Sequence, residues 1–136
     1  MTDGFELIER VLTPDEYFPL RRSVGWSEVS EAAVAASLGR ELYSIALVHD
    51  GRVVGCGRVA GDGGLYFYVQ DIVVLPEFQG RGLGARIMDA VMAWLEQHAP
   101  PGAFVGLMAA KGYAGFYERY GFRARPDDAP GMFRRY

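Results

Sequence analysis

The order of hydrophobic and polar residues at the start of the chain indicates a strand followed by a helix. Residues 5–12 alternate loosely between apolar and polar side chains, which is typical of a half-buried strand. Thr13, Pro14 and Glu16 then form the pattern of a helix N-terminus, in which Thr13 is the N-cap and Glu16 completes a capping box. We expect this helix to end at about Val24.

The middle of the chain reads as a short helix followed by three strands joined by tight turns. The helix is expected within residues 27–39, and the strands over residues 42–49, 52–60 and 65–75. Asp50-Gly51 separates the first two strands and is a strong two-residue hairpin signal. Consecutive strands with such short connections predict an antiparallel meander.

Helical spacing of apolar residues returns in the second half of the chain. It predicts a helix beginning at Leu83, a buried strand over 103–109, a short aromatic helix over 113–120, and two short terminal strands over 122–125 and 132–136. The order β-α-α-β-β-β-α-β-α-β-β is that of a mixed α/β domain. The absence of a repeat or a low-complexity linker predicts a single domain over residues 1–136.

A glycine-rich loop lies between the third strand of the meander and the helix that begins at Leu83. Gly80, Gly82 and Gly84 have no β-carbon, so backbone N–H groups can approach a ligand closely. The positive end of the helix dipole adds to the attraction for an anion. The loop therefore predicts a phosphate-bearing ligand.

Two common phosphate-binding patterns fit this loop poorly. A P-loop is excluded because no Gly-Lys-Ser/Thr follows the glycines. Residues 80–85 do satisfy the dinucleotide pattern G-x-G-x-x-G/A, but residues 97–117 contain no acid to bind a ribose. The same pattern occurs in residues 55–60, inside a predicted strand, which shows how little it specifies by itself.

The residues around the loop resemble a known family. Gln79-x-x-Gly82-x-Gly84, after the strand that contains Asp71, closely resembles the acetyl-CoA motif of the GNAT superfamily of N-acetyltransferases. Residues 115–122, Gly-Phe-Tyr-Glu-Arg-Tyr-Gly-Phe, resemble the second signature of that family. The resemblance implies the GNAT fold, a mixed central sheet with an antiparallel meander, then splayed parallel strands, flanked by about four helices.

The resemblance also implies how acetyl-CoA is bound. The backbones of Ile72, Val73 and Val74 are expected to hold the pantetheine arm, and an N–H near Val73 or Val74 to stabilise the oxyanion of a tetrahedral intermediate. The remaining residues expected to contact the cofactor are Gln79, Gly80, Arg81, Gly82, Leu83, Gly84, Ala85 and Phe116.

Four side chains are candidates for the chemistry and for the acceptor. Tyr117 matches the general acid that protonates the leaving thiolate in this family. Asp71 is the candidate base, although many family members carry an acid at the position of Gln70, and a structural role for Asp71 stays open. The resemblance implies that Trp26 and Tyr66 line the acceptor site, and core packing stays open as the alternative for Trp26.

Composition narrows the class of protein. The chain has 136 residues, half of them hydrophobic, and a net charge of -3, which disfavours a nucleic-acid partner. Cys56 is the only cysteine, so neither an internal disulfide nor a cysteine zinc site is expected, and no metal is predicted. No signal peptide and no apolar run of about 20 residues is seen, which favours a cytoplasmic protein without a membrane partner.

These observations favour an enzyme that transfers the acetyl group of acetyl-CoA to a primary amine of a small molecule by direct attack. The abundance of aromatic residues near the expected cleft favours an apolar or aromatic amine. Three alternatives stay open: acetylation of a protein or peptide amine, an acyl-CoA-binding module without catalysis, and an oxidoreductase with a nucleotide cofactor. Because dimers are common in the family, a homodimer is also expected.

Overall fold

The computed structural model describes residues 3–136, and within them five strands form one sheet. The strands lie in chain order, and neighbours are antiparallel except for the last two, which are parallel. Their bounds are β1 Phe5–Glu9, β2 Tyr43–His49, β3 Arg52–Gly61, β4 Tyr66–Val74 and β5 Phe104–Leu107. The predicted mixed sheet, with its antiparallel meander followed by a parallel pair, is confirmed.

Four α-helices accompany the sheet in the described part of the chain, as expected. They are α1 Pro14–Ser23, α2 Glu31–Ser37, α3 Leu83–His98 and α4 Ala114–Glu118, and a short 3-10 turn spans Pro76–Phe78. None of the helices in residues 3–136 is both long and apolar enough to cross a bilayer.

The predicted capping box at the start of α1 is present. The Glu16 N–H donates to Thr13 Oγ1 (3.3 Å), and the Thr13 N–H donates to Glu16 Oε1 (2.9 Å). Arg10 adds a two-pronged ion pair with the same carboxylate, at 2.8 and 2.9 Å. This ion pair is the largest cause that lowers the pKa of Glu16 to about 2.

Helix α3 covers one face of the meander. Its buried stripe, Leu83, Ile87, Met88, Val91 and Leu95, follows the predicted helical spacing. The packing is close enough that a β-carbon at Gly57 in β3 would lie 2.7 Å from Ile87 Cγ2. The absence of a side chain at this position lets the helix and the sheet approach each other.

Strands β4 and β5 pair over only part of their length. Tyr66–Val69 pairs with Phe104–Leu107, whereas β4 continues to Val74 beyond that pairing. Near this point β4 also contains a bulge, because its register with β3 shifts between Cys56 and Arg58 and Asp71 adopts a left-handed φ of 56°. The separation of the two strands opens the cleft in which the candidate site lies.

Three sequence-based expectations about the strands require correction. β1 ends at Glu9 and not at Leu12, and the strand expected over 103–109 is confined to Phe104–Leu107. That strand is also not buried: it is the last strand of the sheet, and Phe104 is half-exposed.

The two expected terminal strands, over 122–125 and 132–136, do not form in the structure. Pro126 and Pro130 interrupt the segment that leads to the second of them, and proline lacks the N–H that a strand ladder requires. The free edge of β5 therefore carries no further strand among residues 3–136.

Candidate functional site

A cavity of about 480 Å³ lies where β4 leaves β5, between the glycine loop, the N-terminus of α3 and α4. Its walls come from four segments of the chain, within residues 24–26, 72–74, 78–85 and 110–119. The lining residues are Val24, Trp26, Ile72, Val73, Val74, Phe78, Gln79, Gly80, Gly82, Leu83, Gly84, Ala85, Ala110, Tyr113, Phe116, Tyr117 and Arg119.

The N-terminus of α3 presents free backbone donors to this cavity. Gly82 is the N-cap in a left-handed conformation (φ 76°) and provides no side-chain cap. The first hydrogen bond of the helix runs from the Arg86 N–H to the Gly82 carbonyl (3.2 Å). The N–H groups of Leu83, Gly84 and Ala85 therefore have no acceptor within the helix and are available to an anion.

Gln79 fixes the loop to the end of β4. Its Nε2 donates to the Val74 carbonyl at 2.9 Å, across the entrance of the glycine loop. Gln79 and Val74 both line the cavity. The glutamine of the motif thus has a structural function that does not require a ligand, because it orients the strand end from which the loop departs.

Arg81 lies outside the cavity although it belongs to the motif. Its guanidinium packs over the rings of Phe5 and Phe78, at 6.0 and 5.6 Å from their centres, and its side chain is not part of the lining. The arginine that does line the cavity is Arg119, which packs over Phe116 at 5.1 Å. The one signal that could have identified Arg119 from the sequence is its place inside the second signature, residues 115–122.

Phe116 and Tyr117 form the wall opposite the glycine loop. Phe116 Cζ lies 4.0 Å from the position that a β-carbon at Gly84 would occupy, so the ring closes over the first turn of α3. Tyr117 packs edge-on against Phe116, with ring centres 5.0 Å apart. Burial is the largest cause that raises the pKa of Tyr117 above its ordinary value.

Asp71 stands beside the cavity and not on its wall. Its Oδ2 accepts hydrogen bonds from Arg58 Nη1 (2.8 Å) and from the Tyr17 hydroxyl (2.7 Å). The carboxylate is therefore engaged by a buried arginine, and only the next residue, Ile72, reaches the lining. This environment fits the structural alternative for Asp71 better than it fits a free base.

Of the two residues expected at the acceptor site, one lines the cavity and the other does not. Trp26 lines the cavity, and Arg21 packs over its ring at 5.6 Å. Tyr66 does not reach the cavity: it is 60% exposed, and its ring lies against Phe104 of β5. Tyr66 belongs to the part of β4 that still pairs with β5, before the two strands separate, and a role for it at the acceptor site stays a prediction.

Cys56 has no access to the site. It is fully buried, its Sγ donates to the Asp71 carbonyl (3.2 Å), and burial raises the pKa of its thiol. Among the described residues that line the cavity, Arg119 is the only one with a charged side chain, and none carries a carboxylate. Within residues 3–136, no cluster of three or more potential metal ligands occurs either.

Comparison with known proteins gives consistent results. The family model described as acetyltransferase (GNAT) domain matches residues 40–124. The uncharacterized N-acetyltransferase ycf52 of Porphyra purpurea is 32% identical over 115 residues, which cover 82% of this chain and 65% of that protein. Serotonin N-acetyltransferase 2 of Oryza sativa, a chloroplastic protein, is 39% identical over 82 residues, which cover 60% of this chain and 40% of that protein.

A solved structure extends the similarity to almost the whole chain. The probable acetyltransferase from methicillin-resistant Staphylococcus aureus superimposes with a TM-score of 0.91 at 30% identity, covering 97% of this chain and 99% of the other. In contrast, the chain spans less than two thirds of the length of the two curated relatives, 65% and 40%.

Proposed function

The chain belongs to the GNAT superfamily of acetyltransferases, and from this premise we propose that it acetylates a primary amine of a small, apolar or aromatic molecule. Acetyl-CoA is the acetyl donor of this family. The observation that carries the proposal is the cavity itself, which joins free helix N-terminal donors at one end to an apolar wall without carboxylates at the other.

The residues present fit acetyl-CoA well. Its pyrophosphate requires hydrogen-bond donors, and the amides of Leu83, Gly84 and Ala85 supply them at a helix N-terminus. Its pantetheine arm requires exposed backbone, which β4 offers beyond Val69, where pairing with β5 ends. When bound, acetyl-CoA supplies a thioester whose acetyl group is transferred to the amine.

We assign two groups of the chain to the transfer step. A backbone N–H of Val73 or Val74 stabilises the negative charge that develops on the carbonyl oxygen. Tyr117 holds the proton that the departing thiolate requires, and burial raises the pKa of its hydroxyl above the ordinary value of 10.0. Transfer is direct, since the one cysteine, Cys56, is buried away from the cavity.

The acceptor amine must lose its proton before it attacks. For an amine with a pKa of about 10.4, this costs roughly 4.6 kcal/mol at pH 7. An apolar cavity favours the neutral form of the bound amine, because desolvation disfavours the ammonium form. We therefore assign the proton to water, which takes it as the amine enters the cavity in its neutral form, and we retain Asp71 as a base only as the alternative that mutation must exclude.

The chemistry of the wall supports the choice of acceptor. A polyamine requires several carboxylates, and none lines the cavity in the described part of the chain. Trp26 offers a flat apolar surface instead. The similarity to the rice protein named serotonin N-acetyltransferase points in the same direction, because serotonin is an aromatic amine.

A panel of amines tests the proposal. Wild-type protein and acetyl-CoA are mixed with arylalkylamines, alkylamines, polyamines, amino sugars and short peptides, and released thiol is measured. We expect the highest kcat/KM with an arylalkylamine. A preference for peptides supports the alternative of a protein acceptor, and acetyl-CoA binding without thiol release from any amine supports the non-catalytic module.

We further propose that residues 1–136 act as one acetyltransferase domain in the cytoplasm and associate as a homodimer. The exposed aromatic side chains of Tyr66, Tyr68 and Phe104, beside the free edge of β5, support self-association. Sedimentation velocity at micromolar concentration distinguishes a dimer from a monomer. Imaging of a tagged chain in its native host tests the location.

A further inference from the structure

A network of buried charges lies directly behind the cavity. Arg58 is only 3% exposed, and it donates from Nε to Glu41 Oε2 and from Nη1 to Asp71 Oδ2, both at 2.8 Å. The Tyr17 hydroxyl donates to the same Asp71 oxygen (2.7 Å). We call Glu41, Arg58, Asp71 and Tyr17 the ion network.

Stability alone does not explain the ion network. Removing an arginine and two carboxylates from water is unfavourable, and apolar side chains of the same volume often stabilise a fold as well or better. The network also brings together residues from α1, from β3, from β4 and from the segment before β2. Its position, and not its contribution to the core, is the feature that requires an explanation.

The ion network is centred on the bulge of β4. Opposite Gly57 of β3, the strand β4 places two residues, Asp71 and Ile72, where a regular ladder would place one. Asp71 has a φ of 56°, a left-handed conformation that most residues with a β-carbon avoid and that Asp and Asn adopt more readily than the others. Its carboxylate is fixed by Arg58 and Tyr17, so the side chain holds the backbone in this conformation.

The bulge determines what the cavity receives from β4. The three residues that follow Asp71, Ile72 to Val74, all line the cavity. In a regular strand successive residues face opposite sides of the sheet, so a continuous lining of this kind requires backbone as well as side chains to face the cleft. A change in the conformation of Asp71 would therefore redirect the backbone groups assigned to the acetyl donor.

The ion network also reaches the acceptor wall. Arg21 donates to the Tyr17 hydroxyl (3.2 Å) and to the Ser27 carbonyl (2.7 Å), and its guanidinium lies over the Trp26 ring. The chain of contacts from Trp26 to Asp71 thus joins the two sides of the cavity through buried or half-buried groups.

We propose that Asp71, held by Arg58 and Tyr17, is a positioning residue for acetyl transfer: it maintains the left-handed bulge that turns the backbone of residues 72–74 toward the cavity. This inference rests on the proposed function, because it assigns the bulge a task in that reaction. It differs from a role of Asp71 as the general base, since the carboxylate acts on the fold of β4 and not on the amine.

Three substitutions of Asp71 separate the two roles. Asp71→Gly and Asp71→Ala remove the same carboxylate, but only glycine adopts a positive φ without strain. Asp71→Asn keeps an acceptor for Tyr17 and tolerates the left-handed conformation. If Asp71 is a positioning residue, Asp71→Asn and Asp71→Gly retain kcat within about 3-fold, while Asp71→Ala loses about 10-fold or more, as expected for a left-handed residue that is no longer held.

The opposite result overturns the proposal. If all three variants lose kcat by a similar factor of about 100 or more, and the alkaline rise of the rate with pH is lost in each, then Asp71 is the base. Far-UV circular dichroism and thermal midpoints verify that each variant folds. If Asp71→Ala does not fold, the kcat values of Asp71→Asn and Asp71→Gly relative to wild type still distinguish the positioning role from the general base. Loss of a general base would lower kcat in both variants.

Binding of acetyl-CoA separates this inference from the proposed function. Calorimetry of the same variants is expected to show a Kd within about 3-fold of wild type for Asp71→Gly and at least 10-fold weaker for Asp71→Ala. If wild type turns over no amine, the proposed function fails. The ratio of the acetyl-CoA Kd values of Asp71→Ala and Asp71→Gly still tests whether the bulge positions the backbone for binding. Equal Kd values for Asp71→Gly and Asp71→Ala overturn the positioning role whatever the turnover.

Discussion

Tyr117 is the side chain on which the chemistry depends most directly. It lines the cavity, and its hydroxyl makes no hydrogen bond to any residue in the described part of the chain. We predict that Tyr117→Phe lowers kcat by about 100-fold, because a positioned proton donor typically contributes at least that much, and leaves the Kd of acetyl-CoA within about 3-fold.

Tyr120 provides the matched control for this substitution. It lies close to Tyr117 in the chain, but it does not line the cavity, and its hydroxyl donates to the Ala85 carbonyl (3.3 Å) and to Asp89 Oδ1 (3.2 Å). Tyr120→Phe is expected to retain kcat within about 2-fold, because it removes a hydroxyl outside the site. Unchanged turnover of Tyr117→Phe across pH 6 to 9 would refute the assignment of the acid.

Gly57 illustrates how tightly the residues behind the site are packed. A β-carbon there would lie 2.7 Å from Ile87 Cγ2 and 2.9 Å from Ile72 Cδ1. We predict that Gly57→Ala lowers the free energy of unfolding by about 1–3 kcal/mol through overpacking. Gly64→Ala, whose β-carbon would meet only Asp62 Oδ1 at 3.9 Å, is the control and is expected to change stability by less than about 0.5 kcal/mol in urea unfolding.

At the scale of residues, the sequence predicted the site residues that belong to short motifs, but not the contacts between residues that are distant in the chain. The glycine loop and Phe116-Tyr117 are recognisable because each is a short continuous motif, and both line the cavity. The partners of Asp71 in the ion network are 13 and 54 positions away, so only the fold brings them together. The side-chain direction of Arg81 was equally unpredictable, because it depends on aromatic rings from β1 and from the 3-10 turn.

At the scale of elements, α1 depends on the ion pair at its first turn. The folded-state pKa of Glu16 is about 2, below the ordinary value of 4.5, because Arg10 and the Thr13 N–H stabilise the carboxylate. A carboxyl group whose pKa is depressed on folding contributes stability above its unfolded pKa and loses it as the pH falls through the folded pKa. The contribution of Glu16 is therefore complete above about pH 5 and decreases between pH 4.5 and pH 2.

Glu16→Gln tests this dependence. At pH 7 we predict a loss of about 1 kcal/mol in the free energy of unfolding, as is usual when a helix cap is weakened. The difference from wild type is expected to shrink as the pH falls from 4.5 toward 2, because the wild-type carboxylate is then protonated as well. Asp15→Asn, in the same first turn, is the control; urea midpoints that differ equally at all pH values contradict the assignment.

Elements were predictable where their determinants are local. Three such features are present: the capping box of α1, the Asp50-Gly51 turn and the apolar stripe of α3. Each of them is specified by residues that lie close together in the sequence. Strands near the C-terminus could not be predicted from local sequence, because a strand forms only where a neighbouring strand is available to pair with it. Phe133 and Tyr136 are residue types that favour strands, but the structure supplies no ladder for residues 132–136 in the described range.

At the scale of the whole molecule, binding of acetyl-CoA should join parts of the chain that belong to different elements. The cavity connects the end of α1, the second half of β4, the start of α3 and α4. A ligand that binds only the folded state stabilises it by about 2.7 kcal/mol at 100 times its Kd. For a domain of this size, that corresponds to a rise in Tm of roughly 10 °C.

Thermal unfolding with different ligands therefore tests the identity of the loop without any knowledge of the acceptor. We expect acetyl-CoA and CoA to raise Tm, because both carry the pyrophosphate that the amides of Leu83, Gly84 and Ala85 are suited to bind. NAD⁺ also carries a pyrophosphate, but residues 97–117 provide no acid for its ribose, so no comparable shift is expected. A larger shift with NAD⁺ than with CoA would favour the dinucleotide reading of the same glycines, and the site would then have to be assigned to a different cofactor.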